Sequence, residues 1–505
     1  MPDKPKKQEG QMSAWESDSR IVPQQHTDQV CETKLGNASE GKAAKLTRCS
    51  RRTSSTLRGG VPVHQRLDSI TKKAESDRSL RFNNLYTLLT EELLQDAFYR
   101  LKRDKAPGVD GVTVDQYGEQ LDANLRSLSS RLHRRSYRPH PSLRRNIPKG
   151  NGKTRPLGLA TVEDKIVQRA VVMILERIYE VDFHESSYGF RPGRSCHQAL
   201  SALGQVIATR RVNWISDADV RAFFDTVNHQ QLLELLGRRI SDPRLLWLIN
   251  RFLQAGILIE GQRSATKEGV AQGSVLSPLL ANVYLHYVLD DWFEQEVKPR
   301  LSGESYLIRY ADDFICAFEH ARDAERFQVV LRKRLARYSL ELAEDKTKLL
   351  RFGRFAARDN QRAGLGAPET FDFLGFTHYC GLSRNGKFKL KRKTSTKKFQ
   401  AKVSALKDWF RSHLTKPLGY VWTTLNAKLI GHYQYYNVND NWRMCTKYRE
   451  AARRLGFRWL RRRGENGRIN WEEYYAYLRR HPLAVPGQIV DLIRMARVQQ
   501  IMQGG

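Results

Sequence analysis

The chain has 505 residues, with 86 Lys/Arg against 54 Asp/Glu, a formal charge of +32 and an isoelectric point near 10.0. That length is enough for two or three domains with a large core, and the excess of positive charge suits a polyanionic partner, because each phosphate neutralised releases counterions. The start, Met1 to Lys7, has no apolar stretch of the secretory type, and the six cysteines include no Cys-x-x-Cys spacing. A secretory signal, a disulfide framework and a legible zinc site are therefore not expected, and a reducing cytoplasm is the default.

Residues 1–75 are polar, rich in Ser, Gln and Lys, and read as a flexible N-terminal extension. From Leu80 to Arg103 the character changes. Leu85, Leu88, Leu89, Leu93, Leu94 and Phe98 recur at helical spacing, so ordered structure is expected here. Asn151-Gly152 lies between two extended segments and predicts a hairpin, whose arms carry Lys149 and Arg155. Such a hairpin lets a point charge and a guanidinium fork reach one triphosphate. Ile166, Val167, Ala170, Val171, Ile174, Leu175 and Ile178 then predict an amphipathic helix over 163–183.

The next segment, Trp214 to Val220, predicts a strand ending near Asp219, followed by a turn and a helix from about His229. Asp217 lies on the same strand face, two residues earlier, and reads as structural or solvated. The longest charge-free run, Gly269 to Leu289, contains Gln272, Ser274, Ser277, Pro278 and Asn282. It therefore reads as a loop and a buried helix rather than a membrane span. Tyr310-Ala311-Asp312-Asp313 sits between the apolar runs 306–308 and 314–318 and predicts a hairpin with acids at its tip. Adjacent carboxylates repel unless a cation sits on them, and hard oxygen ligands suit Mg²⁺. With Asp219 as a third acid, Asp312 and Asp313 form the minimum set for phosphoryl transfer assisted by two Mg²⁺ ions.

Asn385-Gly386 predicts a second hairpin. Lys387, Lys389, Lys391 and Lys393 alternate beyond it, which places four lysines on one strand face. Such a face is expected to meet RNA phosphates, or else to be a solvated edge. After Arg392 the pattern turns helical, with Thr394 or Ser395 as cap and further helices over 419–437, 443–463 and 471–480. Residues 381–480 hold 25 Lys/Arg and 6 Asp/Glu, so +19 of the +32 is concentrated there.

Several strings occur in a telling order. Ala106-Pro107-Gly108-Val109-Asp110-Gly111 is followed by Ile147-Pro148-Lys149 and Arg155-Pro156-Leu157-Gly158, then by Tyr188-Gly189-Phe190-Arg191-Pro192-Gly193-Arg194-Ser195. Next come Asp219 to Asp225, the run from Gly269 to Asn282, Tyr310 to Asp313, Asp345-Lys346-Thr347-Lys348 and Phe373-Leu374-Gly375-Phe376. This order resembles the bacterial group II intron-encoded reverse transcriptase/maturase family. The resemblance implies an α+β right-hand polymerase, with fingers and palm over 76–385. An all-helical basic thumb, or maturase X domain, would cover 386–490, and a C-terminal tail 491–505. It implies Asp219, Asp312 and Asp313 as the catalytic, metal-binding acids, and Lys149, Arg155, Phe224, Gln272 and Gly273 around the nucleotide. Phe224 would exclude a 2′-hydroxyl, leaving Phe223 in the core, and Leu374-Gly375 would be a primer grip.

The implied partners are intron RNA, an RNA template, a DNA primer or target, and dNTPs, with no membrane and no endonuclease domain in the chain. The implied roles are primer extension, splicing and retrohoming. Two alternatives stay open on the sequence, one from a different class and one a related enzyme put to another use. One is an RNA-binding maturase with incidental polymerase activity. The other is a domesticated or CRISPR-associated reverse transcriptase.

Overall fold

The computed structural model describes residues 62–148, 154–259, 262–264, 268–463 and 469–503. The first helix, α1 (Val63–Ser76), buries Val63, Leu67, Ile70 and Ala74 against α5 (Val162–Asp182). The flexible extension expected through residue 75 therefore ends earlier. The apolar residues of α1 are too few to stand out against its lysines, but they share one face. Between these helices lie α2 (Glu91–Tyr99), α3 (Val114–Gly118), α4 (Leu121–His133), and the strands β1 (Ser142–Pro148) and β2 (Thr154–Leu159). Thr161 starts α5 by accepting the Asp164 N–H, and the helix buries every apolar position its spacing predicts.

Then follow α6 (Cys196–Thr209), β3 (Trp214–Asp219), α7 (Phe223–Thr226), α8 (His229–Leu236), α9 (Pro243–Leu253), β4 (Ile257–Ile259), β5 (Gln262–Ser264) and α10 (Ser277–Leu285). All of α10 except Pro278 is buried, as expected of a helix without a polar stripe. The hairpin β6 (Ser305–Tyr310) and β7 (Asp313–Phe318), helix α11 (Ala321–Arg337) and β8 (Lys348–Arg351) complete the central sheet, in the order β6-β7-β3-β8. A second sheet runs β2-β1-β4-β5.

After α12 (Ala356–Arg362) come β9 (Phe371–Phe373), β10 (Phe376–Leu382) and β11 (Phe388–Thr394), a third sheet with β10 in the middle. Residues 386–490 are thus not all helical, because β11 belongs to them. The helices α13 (Thr396–Ser412), α14 (Leu418–Tyr436), α15 (Trp442–Leu460) and α16 (Trp471–Arg480) follow. The segment expected as a tail carries α17 (Leu492–Gln503), which packs on α6 and whose Leu492 carbonyl accepts the Ser201 hydroxyl at 2.6 Å. Among the described residues no helix is long and apolar enough to cross a membrane.

The central sheet separates two cores, because strand side chains alternate between faces. Leu307, Phe314, Cys316, Phe318 and Ala218 join the core built around α5, α8, α9 and α10. Ile308, Ile315, Ala317, Ile215 and Leu350 join the core of α6 and the C-terminal helices. The same parity puts Asp217, Asp219 and Asp313 on the second face.

Candidate active site

Strands β3 and β7 pair antiparallel from Trp214↔Phe318 to Asp219↔Asp313, so two of the expected acids stand directly opposite one another. Like charges so placed are destabilising. Ala311 and Asp312 form the two-residue loop between Tyr310 and Asp313, with Ala311 at φ 58°. The expected acidic hairpin is present, and Asp312 is at its tip.

The electrostatics reflect the crowding. Burial, with Asp217 and Asp312 nearby, pushes the Asp313 carboxyl up to about 8, against a lowering contribution from the Leu374 N–H. Burial, Asp372 and Asp219 push Asp217 up to about 7. Asp217 is thus a member of the acidic cluster rather than a solvated bystander. Lys346 forms an ion pair with Asp219, and its ammonium is raised chiefly by that hydrogen bond. Among the described residues no three such groups already converge as a metal cage. The donor set nevertheless fits Mg²⁺: it consists of carboxylate oxygens of one sign, and a cation, Lys346, already sits on Asp219.

The turn is held from behind. Arg309, on the opposite sheet face, is 0% exposed and forks onto Asp290, also 0% exposed, at 2.7 and 2.5 Å. Its Nη1 donates to Asn282 Oδ1 and the Ala311 carbonyl, both at 3.0 Å, and its Nη2 donates also to the Ser187 hydroxyl at 2.7 Å. A buried charge costs several kcal/mol unless paired and bonded, and here both conditions hold. The hydrogen bond to Ala311 couples this network to the strained turn.

Leu374 and Gly375 link β9 to β10 in another two-residue loop, with φ 49° and 79°. The Tyr435 hydroxyl donates to the Leu374 carbonyl at 2.8 Å, and the Ser395 N–H donates to the Gly375 carbonyl at 3.0 Å. The structure therefore brings this loop between Asp313 and α14.

Phe223 is 2% exposed and belongs to the core, while Phe224 is half-buried beside it, its ring 5.4 Å away edge-on. The Val270 N–H donates to the Phe224 carbonyl at 2.7 Å. The Gln272 carbonyl accepts the Gly158 N–H of β2 at 2.7 Å. Gly273 has φ 103°, and a Cβ there would lie 2.8 Å from the Gly158 carbonyl, so only glycine allows this approach. Gln272 and Gly273 thus sit against the strand that carries Arg155, whose backbone pairs with Ile147. Lys149 lies outside the described residues.

Lys389, Lys391 and Lys393 do share the outer face of β11, an edge strand, but Lys389 is neutralised by Asp440 at 2.8 Å. Lys387 lies just before the strand and is exposed. The residues that sequence reasoning left without a role are Lys346, Arg309, Asp290 and Asp372. Lys346 was visible inside Asp345 to Lys348, but its contact spans 127 residues.

Residues 147–378 match the family model for reverse transcriptase, an RNA-dependent DNA polymerase. The chain thus carries a reverse transcriptase domain over these residues. It is similar to the protein YkfC of Escherichia coli, 41% identical over 240 residues, which is 46% of this chain and 62% of that protein. It is also similar to the group II intron-encoded protein LtrA of Lactococcus lactis, 36% identical over 246 residues, which is 48% of this chain and 40% of LtrA. The mitochondrial nuclear intron maturase 2 of Arabidopsis thaliana is 27% identical over 176 residues, covering 27% of this chain and 24% of that protein. These matches span from 24% to 62% of the relatives' own length.

Proposed function

We propose that this chain extends a primer 3′-hydroxyl with dNTPs on an RNA template, and that it is a group II intron protein that also binds intron RNA to promote splicing and retrohoming. The observation that carries the polymerase reading is the direct pairing of Asp219 with Asp313, with Asp312 on the turn beside them. In this reading the central sheet is the palm. The β1–β2 hairpin with the Gln272-Gly273 loop forms part of the fingers, and α13 to α16 form the thumb.

Asp219, Asp312 and Asp313 would hold Mg²⁺, which when bound supplies Lewis-acid activation of the hydroxyl and neutralises charge on the transferred phosphoryl group. The hydroxyl gives up its proton to solvent as its oxygen forms a bond to the α-phosphorus, the bond from that phosphorus to the oxygen bridging to the β-phosphate breaks, and pyrophosphate leaves. Lys346 pairs with Asp219, and the Leu374 N–H favours the ionised form of Asp313. Arg309 fixes the backbone of the turn. Phe224 borders the sugar and disfavours a 2′-hydroxyl. Lys149, Arg155, Gln272 and Gly273 meet the nucleotide, and Leu374-Gly375 grips the primer.

The RNA-binding part of the proposal rests on the +19 balance of residues 381–480 and on the exposed lysines around β11. Primer extension by the full chain on a synthetic RNA template tests the polymerase reading. Mg²⁺-dependent addition of dNTPs that is lost in Asp312→Ala is the expected result, and equal activity in that variant would overturn it.

A further inference from the structure

Phe190 is 47% exposed and has φ 59°, a backbone region that bulky side chains rarely occupy. Strain of this kind persists only where neighbours enforce it, and it concentrates at functional sites. Both neighbours do enforce it. On one side, residues 186–188 run beside β6, where the Arg309 N–H donates to the Ser186 carbonyl at 2.8 Å and the Tyr188 N–H donates to the Arg309 carbonyl at 2.9 Å. Gly189 then presses on the catalytic turn so closely that a Cβ would collide with the Ala311 backbone, and Asn282 Nδ2 donates to its carbonyl at 2.6 Å. On the other side, Arg191 is buried and donates to the carbonyls of His184 and Ser187 at 2.7 and 2.8 Å and to Glu180 at 3.0 Å. An apolar ring is thus fixed in solvent one residue away from the contact that positions Ala311-Asp312.

Nothing in the acid chemistry uses this ring, and burying it in the core would relieve its exposure. The rigid frame instead holds it outward, next to the place where a primer 3′-end must lie if Asp219, Asp312 and Asp313 act on it. We propose that Phe190 is a nucleic-acid contact, an apolar platform against the sugars and base edges of the terminal base pairs of the primer–template duplex. This inference rests on the polymerase reading of the neighbouring acids. An RNA–DNA duplex offers a wide, shallow minor groove, which an aromatic ring can touch without reading sequence. Such a contact holds the primer end over the acids and leaves the nucleotide pocket, on the Gln272-Gly273 side, unaffected.

The test uses the full chain and a synthetic RNA template with an annealed DNA primer. Phe190→Gly, Phe190→Ala and Phe190→Tyr are compared with the wild type in duplex affinity, nucleotides added per binding event, KM for dNTP and thermal midpoint. For Phe190→Gly the expected result is duplex binding weakened about tenfold and shorter products per encounter. Its KM for dNTP should stay within about twofold, and its thermal midpoint should be unchanged or raised, since glycine accepts this backbone at no cost. Phe190→Tyr should restore binding. A gain in stability with a loss of duplex grip is a signature that a packing role does not produce. Unchanged duplex affinity in Phe190→Gly and Phe190→Ala would overturn the proposal, as would a loss of binding that merely tracks a fall in thermal midpoint. A wild type that binds the duplex but extends nothing would instead refute the polymerase reading, while the affinity comparison would still decide the role of Phe190.

Discussion

The two faces of the central sheet treat charge in opposite ways. On the face toward α10, Arg309 and Asp290 are both fully buried, and each finds its counter-charge in the other. On the face toward the C-terminal helices, Asp217, Asp219 and Asp313 stand together with the same sign, and Asp217 and Asp313 are pushed up to about 7 and about 8. Arg309 stands on β6 and the acids on the neighbouring strands β7 and β3 of the same sheet, while Asp290 lies in the helical stretch that follows α10. The paired face can be rigid because its charges are satisfied. The acidic face, where Asp219 holds a counter-charge in Lys346, is an unfavourable arrangement that a bound cation would relieve, which is what a site for metal-assisted phosphoryl transfer requires. The hydrogen bond from Arg309 to the Ala311 carbonyl links the two, so the neutralised face positions the charged one.

The largest expected effect breaks the charged face. Asp312→Ala or Asp219→Asn should lower primer extension by ~10³-fold, the scale of losing a group that stabilises charge in a transition state. Affinity for RNA, measured by filter binding, should stay within about threefold, because a single acid contributes little to phosphate contacts. Retained extension would show that the cluster is not the reaction centre.

Next comes the neutral face. Asp290→Asn leaves Arg309 buried without its counter-charge and should cost about 3–5 kcal/mol of stability, as for other broken buried pairs. Replacing both residues, as Arg309→Met with Asp290→Leu, should recover much of that stability in a denaturant titration. Extension should not return to the wild-type level, because the Ala311 carbonyl has now lost its donor, Arg309. Recovery of both would mean that the pair serves folding alone. The same comparison can be sharpened at the sugar. Phe224→Ala should raise ribonucleotide incorporation relative to deoxynucleotide, and Phe223→Ala should instead lower stability by about 3–5 kcal/mol as a core truncation.

Much of this division could be read in the sequence, and the parts that could not share a physical cause. The Tyr310 to Asp313 hairpin, the strand ending at Asp219 and the amphipathic α5 were legible because turn chemistry and periodicity are local signals. Arg309 was not, since an arginine in a chain of 86 basic residues reads as surface, and its partner Asp290 closes a nominally uncharged helical run. Asp372 and Lys346 reach the cluster only through tertiary contacts. Lys389 looked unopposed because Asp440 lies 51 residues further on. The helix α1 escaped because its four buried residues are diluted by charge. Leu374-Gly375 was visible as a turn, but its approach to Asp313 depends on how the third sheet meets the central one.

The C-terminal core offers a pH-dependent contrast. His432 is buried, stacked on Tyr448 at 3.9 Å and on Tyr436 at 4.7 Å, and burial lowers it to about 3. Its unfolded value lies near 6.5, so between pH 6.5 and 3 the unfolded chain takes up a proton that the folded chain refuses. The stabilising contribution of neutral His432 is therefore present above pH 6.5 and is lost progressively as pH falls toward 3. At pH 5 the loss should be about 2 kcal/mol. His432→Phe, which keeps the stacking, should remove that part of the acid sensitivity in melts at pH 5 and 7. His286, lowered to about 4 in the other core, should leave a remainder. Identical slopes in the variant and the wild type would show that His432 does not sense the change.

The smallest effect concerns the lysines of β11 and tests whether the outer edge behaves like the charged face or like plain surface. Neutralising Lys387, Lys389, Lys391 and Lys393 together removes four charges, but Lys389 is already committed to Asp440. Lys391 and Lys393 project from the outer face of the strand, with Lys387 just before it, and these three are available to phosphates. If each meets one phosphate, the slope of log K against log salt for binding a structured RNA should flatten by about 2–3 units. Lys389→Gln alone should change the slope little, because its ammonium releases no phosphate counterion while Asp440 holds it. Asp440→Asn frees that lysine and should steepen the slope by about 0.7–0.9. An unchanged slope in the quadruple variant would make the β11 edge a solvated one, protected by lysines against edge-to-edge pairing, and would move the RNA contact to the basic helices that follow.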